Sequence, residues 1–194
     1  DWLVADRVSA YACATRHGDQ QPGREEPVWC FRRFGQSLTR LPDGRYVEIG
    51  GEHEDYYDTD FCIYNDLVVH DNGTFELYGY PEEVFPTTDF HSATLVWPHI
   101  YIIGNLGYTH ERRPGETPVY RVDCNRWSIE PICCHGDAPG WIHRHKARLV
   151  EKHRISIRGG LITDAAGRNL IPNTSHYVLD LSDFTWTRQP PEGA

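Results

Sequence analysis

Three observations predict an all-β fold built from repeated four-stranded antiparallel units. Short runs rich in β-branched and aromatic residues alternate along the chain with Gly, Asn, Asp and Pro turn signals. The pattern recurs: Ser37, Ser92 and Ala147 stand 55 residues apart, and Gly50, Gly104 and Gly159 keep that period to within one residue. No apolar run approaches the roughly 18 residues of a membrane-spanning helix.

Each unit reads as four strands, A to D. Strand A begins in Gly35-Gln36-Ser37-Leu38-Thr39, Phe90-His91-Ser92-Ala93-Thr94 and His145-Lys146-Ala147-Arg148-Leu149. Strand B is Tyr46–Gly51, Ile100–Gly104 and Ile155–Gly160, each ending in glycine where a side chain would obstruct close backbone packing. Strand C is Ile63–Asp71, Val119–Asp123 and Tyr177–Asp180, and strand D carries Phe75, Trp127 or Trp186 to pack between neighbouring sheets. Pro42-Asp43-Gly44 and Asp71-Asn72-Gly73 supply hairpin turns. One such sheet cannot bury both faces, so the units must stack, with the radial arrangement of a β-propeller as the expected solution. Before the first unit, Pro27–Arg32 reads as a strand D with Trp29 as its aromatic, and Val8–Thr15 as a strand C; Val4, Val8, Tyr11 and Thr15 also share one face of a helix over residues 2–15.

Gly50-Gly51, then Tyr64-Asn65-Asp66-Leu67, then Phe75 resembles the kelch repeat of β-propellers, with Gly104-Asn105, Tyr120 and Trp127 in the second unit and Gly159-Gly160, Tyr177 and Trp186 in the third. The resemblance implies kelch-type blades of four antiparallel strands at residues 34–80, 89–132 and 141–190, with residues 1–33 as a partial blade or N-terminal extension. Three full blades and a remnant would make a small four-bladed propeller, a half-propeller or a fragment. The absence of any methionine and of a visible signal peptide reads as a processed or excised chain placed in the cytoplasm.

Such propellers meet their ligands through loops at one end of a central channel. The first B–C loop offers Glu52, His53, Glu54, Asp55, Tyr56, Tyr57 and Asp58, an acidic and aromatic run. Its Glu54, Asp58 and Cys62 are spaced by four, similar to the Glu-x-x-x-Asp-x-x-x-His iron motif of plant nitrile-specifier proteins, with cysteine at the third position. The residues leading into strand A add Arg33, Asp89, His91, His143 and His145, and the second B–C loop adds Tyr108, His110 and Arg112; Trp141 is a candidate anchor. Asp89, His91, His143 and His145 are the N/O set that a bound divalent metal would need, no other cofactor being expected.

The net charge of −9 argues against a phosphate backbone as the main partner. The six cysteines form no C-x-x-C pair and read as buried or half-buried thiols. Cys133-Cys134-His135 carries a thiol beside an imidazole with no third orienting group. The expected function is a protein-interaction or ligand-binding module, more a scaffold than an enzyme, with self-association through open blade edges. A propeller enzyme or metal-dependent binder using the His/Asp/Glu/Tyr cluster is the alternative.

Overall fold

A computed structural model describes residue 29 and residues 31–53, 61–168 and 170–190. The readings of residues 1–28, and Glu54, Asp55, Tyr56, Tyr57 and Asp58, lie outside them. The chain runs β1 (Ser37–Arg40), β2 (Tyr46–Ile49), β3 (Glu52–His53), β4 (Cys62–Ile63), β5 (Asp66–Asp71) and β6 (Thr74–Gly79). It continues β7 (Ser92–Val96), β8 (His99–Ile103), β9 (Val119–Asp123), β10 (Ser128–Pro131), β11 (His135–Gly136) and β12 (Ile142–His143). It ends β13 (Lys146–Glu151), β14 (Arg154–Arg158), β15 (Leu161–Thr163), β16 (Leu170–Pro172), β17 (His176–Asp180) and β18 (Thr185–Gln189). Among the described residues no helix is long and apolar enough to cross a membrane.

Three principal sheets form, ordered β1-β2-β5-β6, β7-β8-β9-β10 and β13-β14-β17-β18 with β11 added beside β18; β12-β15-β16 and β3-β4 are two small sheets. Tight turns set the hairpins. Asn72 and Gly73, with φ of 46° and 85°, join β5 to β6 in the left-handed geometry that matches strand twist. The register also corrects the repeat. Ser37 pairs Ile49 and Ser92 pairs Ile103, but Lys146, not Ala147, holds the matching place opposite Arg158.

Side-chain alternation stacks the principal sheets. Val47, Ile49, Leu67 and Val69 of the first interlock with Ile100, Ile102, Val122 and Ile129 of the second, with Phe85 fully buried between them. The opposite face of the second sheet, Tyr101, Ile103 and Val119, packs on Ile155, Ile157, Tyr177, Leu179 and Trp186 of the third. Trp127 seals the first core from the turn before β10, at φ 54°, rather than from the strand itself.

The sheets do not make a propeller. Five separate sheets are present among the described residues, one of them mixed by the parallel β11–β18 pair, and none closes. The physical reason lies on the outer face of the third sheet. Paired positions there are Arg158 with His176, Ser156 with Val178 and Arg154 with Asp180, and β18 adds Thr187 and Gln189. A face so polar has little apolar surface to bury against another sheet, and it behaves as a cap. The kelch-blade architecture and its four-bladed closure are therefore set aside. Self-association through open blade edges goes with them, because among the described residues no such edges exist, and β11 covers the outer side of β18.

The glycines that end β2 and β8 mark the tightest contacts in the stack. A Cβ on Gly50 would lie 2.2 Å from Thr88 O, and one on Gly104 2.2 Å from Ile142 O, whereas the matching Gly159 has open space around it. All three have positive φ. Gly104→Ala is thus expected to cost on the order of 3 kcal/mol or more, from collision and backbone strain together, and Gly159→Ala only about 1 kcal/mol from strain alone. Urea denaturation of the two variants checks this ordering.

Candidate functional site

The segments leading into the inner strands converge where the principal sheets meet. Phe90 N donates to Gly35 O at 2.8 Å and Arg144 N to Phe90 O at 2.8 Å, so the three segments form one backbone ladder. Gly35, Phe90 and Arg144 all have positive φ, which is costly for the two non-glycine residues. The Arg144 guanidinium lies 3.9 Å above the Phe90 ring centroid and holds these two strained residues together.

Histidines stitch the same seam. His91 Nε2 lies 2.8 Å from Ser37 Oγ, and His145 Nε2 lies 2.8 Å from Ser92 Oγ, each pairing one sheet with the previous one. Neither ring nitrogen of the fully buried His143 has a hydrogen-bond partner among the described residues. Burial pushes the His91 imidazole down to about 3, aided by nearby His145. It pushes His143 and His145 down to about 4, with Arg144 and Arg112 adding to the shift of His143. All three rings are neutral at physiological pH.

Beside them sits Asp89, wholly buried. Gly107 N donates to its Oδ1 at 2.7 Å, and no N–H of the described residues reaches Oδ2. Burial raises its carboxyl above the ordinary range, while the Gly107 amide, the adjacent Glu52 carboxyl, Arg112 and Arg144 pull it down. Asn105 organises this corner. Its Oδ1 accepts from Asp89 N at 3.0 Å, and its Nδ2 donates to Thr87 O at 2.9 Å.

Outside this corner opens a cleft of about 670 Å³. Its walls come from the segment between β6 and β7 (Glu82, Glu83, Pro86) and the loop between β8 and β9 (Glu111, Arg112, Arg113, Glu116). Tyr120, Pro131 and Trp141 supply apolar surface. The walls are braced. Arg112 Nε and Trp141 Nε1 both donate to Leu106 O, at 2.9 and 3.1 Å, and Arg112 Nη2 donates to Gly107 O at 3.3 Å. Thr117 and Gly140 exchange two hydrogen bonds.

The remaining residues singled out by sequence scatter. Arg33 makes a bidentate pair with buried Asp66 and stacks 3.5 Å from the Tyr64 ring centroid, which makes it a structural ion pair. Glu52 and buried His53 lie on β3, with Glu52 beside Asp89. Tyr108 OH accepts from Ile63 N at 3.0 Å, and its ring meets Phe61 edge-on at 5.9 Å. His110 is exposed at the cleft rim. Cys62, the third residue of the iron-like spacing, is a buried free thiol.

Among the described residues no three His, Cys, Asp or Glu side chains are placed to hold a metal ion. The divalent-metal site at Asp89, His91, His143 and His145 is therefore withdrawn; Ser37 and Ser92 take up the Nε2 atoms of His91 and His145. Sequence reasoning missed Asn105, Gly107, Glu82, Glu83 and Tyr120. The available signal was Asn105 itself, standing where the other units have a second glycine.

No family model matches the chain, and no curated protein matches it either. The kelch resemblance thus has no support from known families and is contradicted by the open sheets. The readings that depended on a channel fall with it, both the interaction module acting through loops at its end and the enzyme or metal-dependent binder at its mouth.

The neutral histidines set a pH dependence. Each folded pKa lies below the reference value of 6.5, so the unfolded chain binds more protons and stability falls as pH drops below about 6.5. The loss is about 1.4 kcal/mol per pH unit for each histidine until the folded pKa is reached. Asp89, with its raised pKa, acts in the opposite sense above its reference value of 3.8. Urea denaturation between pH 7.5 and 5 is expected to show this slope, and His143→Leu to reduce it by about 1.4 kcal/mol per pH unit.

Proposed function

We propose that the lateral cleft is a non-catalytic receptor site for a small ligand bearing amine groups. The observation that carries this reading is its charge. Four carboxylates, Glu82, Glu83, Glu111 and Glu116, face two guanidiniums over an aromatic and proline surface. Both arginines are already engaged, Arg112 with two backbone carbonyls and Arg113 with Glu116 at 3.7 Å. Glu111 Oε2 accepts from Thr87 Oγ1 at 3.3 Å. Exposed Glu82 and Glu83 are the carboxylates best placed to receive ammonium groups from solvent.

The volume suits a small molecule, and the braced walls reduce the ordering cost of binding. Tyr120 lines the cleft and adds an aromatic side chain where a methylene chain or cation would sit. The acidic surplus gives an attraction that salt weakens.

Isothermal titration with spermidine as the cationic probe and citrate as the anionic one tests the reading. Spermidine is expected to bind saturably at low salt and citrate not to bind. Glu82→Gln with Glu83→Gln should weaken spermidine by about tenfold, or 1.4 kcal/mol. A control pair on the third sheet, Glu151→Gln with Asp183→Asn, should leave it unchanged. Preference for citrate, or equal losses in both pairs, would discard the amine site.

A further inference from the structure

The cleft and the buried seam share one piece of main chain, the Leu106–Gly107 turn in the loop after β8. Gly107 has a φ of 62°, which a side chain rarely tolerates. A Cβ there would also lie 2.9 Å from Asn105 Nδ2, an atom held in place by its bond to Thr87 O. Glycine thus permits a turn that sends its amides to one side and its carbonyls to the other.

On the seam side the amides meet Asp89. Leu106 N donates to Asp89 O at 3.1 Å, and Gly107 N donates to Asp89 Oδ1 at 2.7 Å. On the cleft side the carbonyls meet two long side chains. Leu106 O accepts from Arg112 Nε at 2.9 Å and from Trp141 Nε1 at 3.1 Å, and Gly107 O accepts from Arg112 Nη2 at 3.3 Å. Wholly buried Asp89 is therefore joined to the cleft wall by an unbroken run of hydrogen bonds. A second branch leaves the same residue. Asn105 accepts from Asp89 N and donates to Thr87 O, and Thr87 Oγ1 donates to Glu111 Oε2 at 3.3 Å.

These two branches decide the charge that a ligand meets. A guanidinium within reach of carboxylates pairs with them, often through two parallel bonds. Arg112 borders the same cleft as Glu82, Glu83 and Glu111, yet its fork is directed at main-chain carbonyls. Once released, it could turn to those glutamates and neutralise them.

We propose, resting on the amine-site reading of the cleft, that Asp89 is a positioning residue that sets its specificity. Through the Leu106–Gly107 turn it keeps Arg112 on carbonyls and leaves the glutamates open to an amine ligand.

Spermidine titration of the full chain, with NMR of the Arg112 Nε–H and Trp141 Nε1–H signals, tests this. Asp89→Ala should weaken spermidine about fivefold, the scale of one partly exposed ion pair, and move both signals. Asp89→Asn keeps an oxygen for the Gly107 amide and should restore affinity and signals. Arg112→Lys keeps the charge but loses the planar fork, and should weaken spermidine by a similar factor without touching the buried residue. Arg112→Gln removes the competing charge and should tighten spermidine about twofold. In that background Asp89→Ala should weaken binding no further. An equal loss from Asp89→Ala in both backgrounds would leave Asp89 a general structural role and overturn the proposal. So would unweakened binding in Arg112→Lys, or unmoved signals in Asp89→Ala. Failure of the unaltered chain to bind spermidine would discard the amine site and the specificity role with it. Moved signals in Asp89→Ala would then still establish the link from Asp89 to Arg112.

Discussion

The stack depends on one contact made twice, the approach of a strand-ending glycine to the backbone of the next sheet. Gly51 N donates to Thr88 O at 2.8 Å, and Asn105 N donates to Ile142 O at 2.9 Å. Each bond follows a glycine whose missing side chain leaves room for the incoming carbonyl. The two apolar cores lie on either side of the second sheet and acquire their spacing from these junctions. The serine–histidine pairs then satisfy one ring nitrogen each of His91 and His145 where the close approach takes them out of water.

The same constraint explains the chemistry of the seam. Bringing three chain segments together by backbone bonding leaves little room for water, so imidazoles stay neutral and the Asp89 carboxyl is held above its ordinary range. Charge is displaced outward to the cleft, where glutamates and arginines remain in contact with solvent. A buried neutral layer and a charged rim are thus two results of one packing decision.

Much of the strand layout was legible because period-2 alternation and glycine spacing are local properties. Gly35 and Phe90 were legible for the same reason, as equivalent positions in a repeat, whereas in the third unit the repeat pointed to His145, one residue beyond Arg144. Closure was not, since it depends on what the last face presents. Arg154, Ser156 and Arg158 alternate with Ile155 and Ile157 on β14, and that alternation already described a one-sided strand. The third unit was also displaced by one residue, because its first serine equivalent is Lys146 and the similarity of Ala147 to serine outweighed register. Trp127 was assigned to a strand because aromatic character does not report φ, and its positive φ places it in a turn. The cleft was invisible because its walls come from segments that touch only after the first two sheets have stacked.

The short strand β11 has a further consequence for how the chain folds. Within each principal sheet, neighbouring strands are connected in order, so their pairing closes modest loops and can proceed early. The β11–β18 pair is different. It joins the segment just after the second sheet to the last strand of the third, and it cannot form until β13, β14 and β17 have brought β18 into place. Its closure entropy is met only at that late stage. The pair therefore acts as a latch, completing the third sheet and fastening it to the second in a single event.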